Sequence, residues 1–346
     1  MKCIMPLISV LFVFNSNAQT VQNEKVFYHY NKMPSAIHFT SNPKLIISTA
    51  GLESDYIWNI DQENEKTEIK TYRYGESMMN ANGTELCTVG GQYYDKETKE
   101  LSSSSLSFYS VEQNQTTVKK FQNLDLLRMC YHPTDKNSIA IIGMDEDFNY
   151  RAALMNRETF ELSTVVFRGK GAVMPLWQQF SPDGKYLFIG YGNSSYNGGY
   201  TVYDISAKKE IKRISLKDQP KEFIFLADGR FIMKGNRSVI IYNKDFTQIS
   251  KHDLNLAAIH PSGQYGIHFN INKEAYFYHF ASKTKTKLDI PILQKEDLSN
   301  AAEFYGNAKF SPDGKSLGII FFKWHSNKAA TVNTLPSFMV YDITQS

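Results

Sequence analysis

Phe180-Ser181-Pro182-Asp183-Gly184-Lys185 returns residue for residue as Phe310-Ser311-Pro312-Asp313-Gly314-Lys315. Each copy ends an aromatic run, reverses, and enters a second apolar run. Further along each copy comes another apolar segment, Tyr200-Thr201-Val202-Tyr203-Asp204-Ile205 or Phe338-Met339-Val340-Tyr341-Asp342-Ile343. Pro presets φ near about −65° early in a turn, and Asp before Gly suits the positive-φ position that lets a hairpin reverse. The hexapeptide therefore reads as a tight turn between two antiparallel strands.

Weaker forms of this turn occur at 40–44, 80–84, 132–136, 226–230 and 260–264, making seven in all; the first and third lack Gly. A third strand follows every turn: Asp55 to Ile60, Leu106 to Val111, Ala152 to Asn156, Thr201 to Ile205, Val239 to Asn243, Ala275 to Phe280, and Phe338 to Ile343. A fourth follows a short polar turn, as in Glu210 to Ile214 or Leu162 to Phe167. Units of this kind stack into one body rather than separate domains. The expected fold is all-β: one seven-bladed β-propeller of four-stranded antiparallel blades over residues 19–346. The last unit stops after its third strand, and Val26-Phe27-Tyr28-His29-Tyr30 is a spare strand at the other end. The N-terminal strand is thus expected to close the last blade, removing a sheet edge.

The chain has 346 residues, 42% of them hydrophobic and 14% aromatic, enough to fill a core and weighted toward strand formers. Lys2, the apolar run Cys3 to Phe14 and the small residues Ser16-Asn17-Ala18 read as a secretory signal over 1–18, cut after Ala18. That run is too short for a membrane span, so stable membrane insertion is not expected. A formal net charge of +3 is too small to argue for nucleic acid. Beyond the leader only Cys87 and Cys130 remain, each in an apolar run, where buried free thiols are expected; a disulfide between neighbouring blades is the alternative.

The Phe-Ser-Pro-Asp-Gly-Lys turn followed by Val-Tyr-Asp resembles the secreted or periplasmic WD-repeat, YVTN and TolB-like propellers. The match is close around 174–219 and 301–346. The resemblance implies the architecture and leaves function open, because such rings host unrelated activities. The regular His and Trp-Asp marks of eukaryotic WD repeats are missing.

In such a blade the loops joining strands two and three share one face with the connections between blades. Long segments are expected there at Gly90–Ser104, Gly143–Arg151, Gly190–Gly199, Asp289–Asn307 and Phe322–Ser337. They carry Tyr93, Tyr94, Phe148, Tyr150, Tyr191, Tyr196, Trp324 and His325, the candidate binding residues, with Asp145, Glu146, Asp147, Lys323 and Lys328 among them. Tyr and Trp supply contact area with a polar handle; the competing reading packs them beneath their own loops. The acidic triplet at 145–147 lacks the spacing of a calcium loop and reads as a solvated loop.

No nucleophile elbow or phosphate loop is present, and neither metal nor cofactor is expected. His132 and His260 precede Pro and read as turn residues. The leading function is non-enzymatic binding of a protein partner outside the cytoplasm, on the long-loop face. The alternatives are a lactonase-like hydrolase at the central channel, where His38, Arg128, Gln178 or Gln179, Glu222 and Lys309 are the first-strand candidates, and glycan or small-ligand binding without turnover.

Overall fold

The computed structural model describes residues 19–27, 36–42, 44–49, 55–61, 66–69, 76–91, 103–122, 124–145, 147, 149–169, 173–195, 197–270, 274–288, 303–324 and 338–345. These form seven four-stranded antiparallel sheets. Blade 1 is β2 (Ala36–Phe39) to β5 (Lys66–Ile69), and blade 2 is β6 (Ser77–Met79), β7 (Glu85–Gly90), β8 (Ser104–Ser110) and β9 (Gln115–Phe121). Blade 3 is β10 (Asp125–Tyr131), β11 (Ser138–Met144), β12 (Tyr150–Asn156) and β13 (Leu162–Arg168). Blade 4 is β14 (Met174–Phe180), β15 (Tyr186–Gly192), β16 (Gly198–Asp204) and β17 (Lys209–Leu216). Blade 5 is β18 (Pro220–Phe225) and β19 (Phe231–Gly235) to β21 (Gln248–His252), and blade 6 is β22 (Ala258–Ile259) to β25 (Lys285–Leu288).

Blade 7 is made of β26 (Glu303–Phe310), β27 (Ser316–Trp324), β28 (Phe338–Gln345) and the N-terminal strand β1 (Gln19–Phe27). The expected closure is present, with β1 antiparallel to β28 from Gln19 opposite Gln345 to Phe27 opposite Phe338. The closing strand lies earlier than Val26–Tyr30: it ends at Phe27, and Tyr28–Tyr30 fall outside the described residues. The leader assigned to 1–18 also falls outside them. No helix among the described residues is long and apolar enough to cross a membrane.

The repeated turn shows why its residues recur. Ser181 Oγ donates to Asp183 Oδ1 (2.6 Å), which also accepts the Lys185 N–H (3.1 Å), and Gly184 sits at φ 71°. The second copy repeats this with Ser311, Asp313, Lys315 and Gly314 at φ 73°.

These turns also join blades. His132 in blade 3 reaches the Gly184 carbonyl of blade 4 through Nε2 (3.1 Å), and His260 in blade 6 reaches the Gly314 carbonyl of blade 7 (3.2 Å). Each ring stands edge-on to the aromatic residue before the turn it serves, Phe180 or Phe310. The turn histidines are thus inter-blade latches, paired with the two perfect copies of the hexapeptide.

First-strand side chains alternate between neighbours. Ala308 and Phe310 enter the core with blade 6, while Ile37 joins Ile320 and Val340 of blade 7. Blades 4 and 5 meet around Phe188, whose ring lies 5.1 Å from Phe223 and 5.2 Å from Phe231. Lysines stud the outermost strands, among them Lys66, Lys119, Lys120, Lys209, Lys212 and Lys285, which discourages edge-to-edge association. Cys87 and Cys130 are free and buried, and burial pushes both thiols up.

Three buried histidines shape the acid response. Burial, the largest cause in each case, holds His38, His252 and His260 below the ordinary value of 6.5. A lowered folded pKa means that the unfolded chain takes up protons first, so their contribution is complete above about 6.5 and is lost as pH falls toward the folded values. The melting temperature is expected to fall between about pH 7 and pH 5.5. A calorimetric scan flat across that window would contradict neutral buried imidazoles.

Candidate functional site

Strands extend further into the expected loops than the sequence suggests. β11 and β12 run to Met144 and from Tyr150, leaving 145–149 between them; β15 and β16 leave 193–197. Glycine explains the second case: a Cβ on Gly199 would lie 2.0 Å from the Ile214 carbonyl oxygen and 2.7 Å from the Tyr191 hydroxyl. Likewise β26 begins at Glu303 and β27 continues to Trp324.

Tyr191 is therefore corrected from a loop residue to a buried strand residue. Its ring stacks on Phe167 at 5.7 Å, its hydroxyl donates to the Ile214 carbonyl (3.3 Å), and the Arg213 guanidinium covers it. Tyr150 opens β12 opposite Met144 and is half-buried. Trp324 ends β27 opposite Glu303. Tyr93, Tyr94, Phe148, Tyr196 and His325 lie outside the described residues, as do Glu146 and Lys328.

The acidic loop serves its own geometry. Asp145 Oδ1 accepts the N–H groups of Asn149 (2.8 Å) and Asp147 (3.1 Å), and its carboxylate pairs with Arg151. The Asn149 N–H leads in holding this carboxyl below the usual range. Among the described residues no group of three or more His, Cys, Asp or Glu side chains is placed to hold a metal ion.

The connections that remain long are 91–103 in blade 2, 289–302 between blades 6 and 7, and 325–337 in blade 7. All three attach to the sector around blades 7, 1 and 2. Blade 7 also projects there: pairing of β27 with β28 ends at Ile320, whereas β27 stays paired with β26 through Phe321 to Trp324. On the same face in blade 5, buried Asp218 fastens the short loop after β19. It accepts the N–H groups of Asn236 (3.1 Å) and Arg237 (3.0 Å) and the Ser238 hydroxyl (2.7 Å). Those donors satisfy the carboxylate, which marks Asp218 as a structural anchor.

Around the axis the first strands of successive blades touch, β2 with β6, β10 with β14, β14 with β18, β22 with β26, and β26 back with β2. Of the channel candidates, Gln178 is withdrawn: its Nε2 donates to the Ala140 carbonyl of blade 3 (2.8 Å). His38 is buried and bonded through Nε2 to Ser77 Oγ (3.0 Å). Arg128 pairs with Glu76 (2.5 Å). Burial raises the Glu76 carboxyl in spite of that arginine.

Glu222 pairs with Lys234 (3.1 Å), whose ammonium also donates to the Ala257 carbonyl of blade 6 (2.9 Å). Burial works to raise the Glu222 carboxyl, but Lys234 and Lys309 outweigh it and hold it low. The sequence reading missed Lys234 because it considered first strands alone, whereas Lys234 reaches the inner ring from the second. Among the described residues Glu76 of blade 2 and Glu222 of blade 5 are thus each paired with a cation, and they do not converge on one another.

No family model and no curated protein matches the chain. Among solved structures it is similar to the β-propeller domain of Cps50 (Swd1) from Myceliophteria thermophila, a WD40 propeller, with a TM-score of 0.65 and 9% identity over 94% of this chain and 100% of that one. At that identity the likeness concerns the fold alone. The chain is a seven-bladed β-propeller of four-stranded antiparallel blades.

Proposed function

We propose that this propeller is a non-enzymatic scaffold working outside the cytoplasm, and that it holds a protein partner on the face of the strand-two-to-three loops, over blades 7, 1 and 2. The observation that carries this reading is the asymmetry of the ring. Turns on the opposite face are short, whereas the three longest connections join strand ends of blades 2, 6 and 7 on this face, where β26 and β27 stay paired to Glu303 and Trp324. Long connections on a rigid scaffold are where recognition residues concentrate. Trp324 ends β27 and Tyr150 opens β12 on this face; in the sequence Tyr93 and Tyr94 fall within the 91–103 connection and Tyr196 within the 193–197 connection. The extracytoplasmic placement rests on the leader-like residues 1–18.

The test is affinity capture with crosslinking, using tagged residues 19–346 and the extracytoplasmic fraction of the source cells. A variant carrying Tyr93→Ala, Tyr150→Ala, Tyr196→Ala and Trp324→Ala together is expected to lose the captured partner while keeping its β-sheet circular dichroism. Equal capture by the folded variant would move the site elsewhere, and absence of any crosslinked partner would count against the scaffold reading.

A further inference from the structure

A carboxylate taken out of water is costly unless donors replace the water it loses. Asp218 is 5% exposed and makes its bonds at one corner of the loop face, where the chain passes from blade 4 to blade 5. Its Oδ1 accepts the N–H groups of Gln219 (2.9 Å) and Asn236, and its Oδ2 accepts the Arg237 N–H and the Ser238 hydroxyl. Residue 235 must be glycine to admit it, because a Cβ there would lie 2.3 Å from Asp218 Oδ2. Gln219 extends the network. Its Nε2 donates to the Asn193 carbonyl in the blade 4 loop (2.6 Å), and its Oε1 accepts the Asn236 amide (3.1 Å). Segments remote in sequence, at 193, 217–219 and 236–238, are thereby fixed on one another.

What this network presents to solvent is positive. Arg237 is exposed, and its guanidinium is aimed by a bond from Nη2 to the Lys217 carbonyl (2.7 Å). Lys217 and Lys221 stand on either side of Asp218 along the same connection and are exposed as well. Among the described residues none of these cations is ion-paired to a carboxylate. Over 190–199, 214–221 and 235–239 the only acidic residue is Asp218, which is buried. The corner therefore carries excess positive charge on a fixed base. An arginine already held by a carbonyl loses little freedom when its planar fork meets a carboxylate, and arginines at such places concentrate binding energy.

We propose that the junction of blades 4 and 5 on the loop face binds a short acidic peptide segment, with Arg237 as the anchoring contact. The surroundings select this ligand class. Carboxylates stand on both sides along the same face, Asp145 and Asp147 in blade 3 and Glu274 in blade 6. A long polyanion following the ring would meet them, whereas a segment with a few carboxylates complements the local cations alone. The site lies away from blades 7, 1 and 2 and needs none of their residues, so it goes beyond the scaffold reading and stands or falls separately from it.

The test is fluorescence polarisation of a fluorescein-labelled peptide of alternating Glu and Ser with residues 19–346, against the same peptide carrying Gln in place of Glu. Saturable binding of the acidic peptide alone is expected, weakened about tenfold or more in Arg237→Gln and less in Arg237→Lys. Lys244→Gln removes one positive charge from the opposite face of blade 5 and is expected to leave binding unchanged. Phenylglyoxal modification of the parent protein gives a readout independent of variant folding, because bound peptide is expected to slow labelling of Arg237 in peptide mass maps. No saturable binding, binding unchanged in Arg237→Gln, equal weakening in Lys244→Gln, or Arg237 labelling indifferent to the peptide overturns the proposal. Arg237-dependent binding of a thymidine oligonucleotide in place of the peptide also overturns it, by assigning the corner to a polyphosphate.

Discussion

Removal of residues 19–27 is expected to lower the melting temperature by about 5 °C, equivalent to roughly 3–5 kcal/mol in a domain of this size. β1 is paired with β28 from Gln19 to Phe27. Each ladder hydrogen bond contributes about 1 kcal/mol net, and ordering the strand offsets much of that sum. The larger consequence is topological. β1 joins the two ends of the chain in one sheet, so its loss releases β28 as a bare edge and loosens blade 7 against blade 1, where Ile320 and Val340 meet Ile37, Ile46 and Trp58. Bare edges also associate. Differential scanning fluorimetry with light scattering should therefore show an earlier transition and aggregation that grows with protein concentration. A melting curve like that of the parent would mean that the ring holds without its terminal strand.

The second large effect is expected at the His260 latch. Gly314 has φ 73°, and a Cβ there would lie 2.2 Å from His260 Nε2. Gly314→Val combines a side chain in the left-handed region, about 1–2 kcal/mol, with overpacking of about 1–3 kcal/mol. The expected loss is about 3 kcal/mol, or roughly 4–5 °C. Gly229 is the internal control: its φ is 85°, but the nearest atom to a Cβ is Lys244 Cβ at 3.6 Å. Gly229→Ala should therefore show only the backbone strain, about 1 kcal/mol. If steric conflict with the latch is the cause, a His260→Ala background relieves part of the Gly314→Val loss, with a coupling of about 1 kcal/mol in a double-mutant cycle. Additive losses would show that the ring of His260 is not what the valine meets.

Much of the ring was legible because its signals are local. The chemistry of a tight turn depends on residues within five positions, so seven turns could be counted before any packing was known. Gly83, Gly184, Gly229, Gly263 and Gly314 all adopt positive φ, and the two turns without Gly are those of blades 1 and 3, as read. The third strands likewise coincide with the apolar runs that follow each turn. The loops were less legible. By composition 192–199 resembles a flexible loop tip, but Gly199 is needed for the close approach of Tyr191 and β17, a contact set by the pairing of β16 with its two neighbours.

The site divides along the same line. Tyr191 was selected as an aromatic residue in a polar stretch, and only packing against Phe167 and Arg213 shows that it is covered. His132 and His260 were read as turn residues by position, and that reading stopped at their own turns. Their bonds cross to the next blade, which no local pattern encodes.

By itself the sequence determined the repeat, the number of blades and the closing role of the N-terminal strand, because turn chemistry and period-two alternation act over a few residues. Only the tertiary structure decided which side chains face the axis and which charges are compensated there. Those depend on contacts such as that of Lys234 with Glu222 within blade 5 and with the Ala257 carbonyl beside blade 6, which no local pattern encodes.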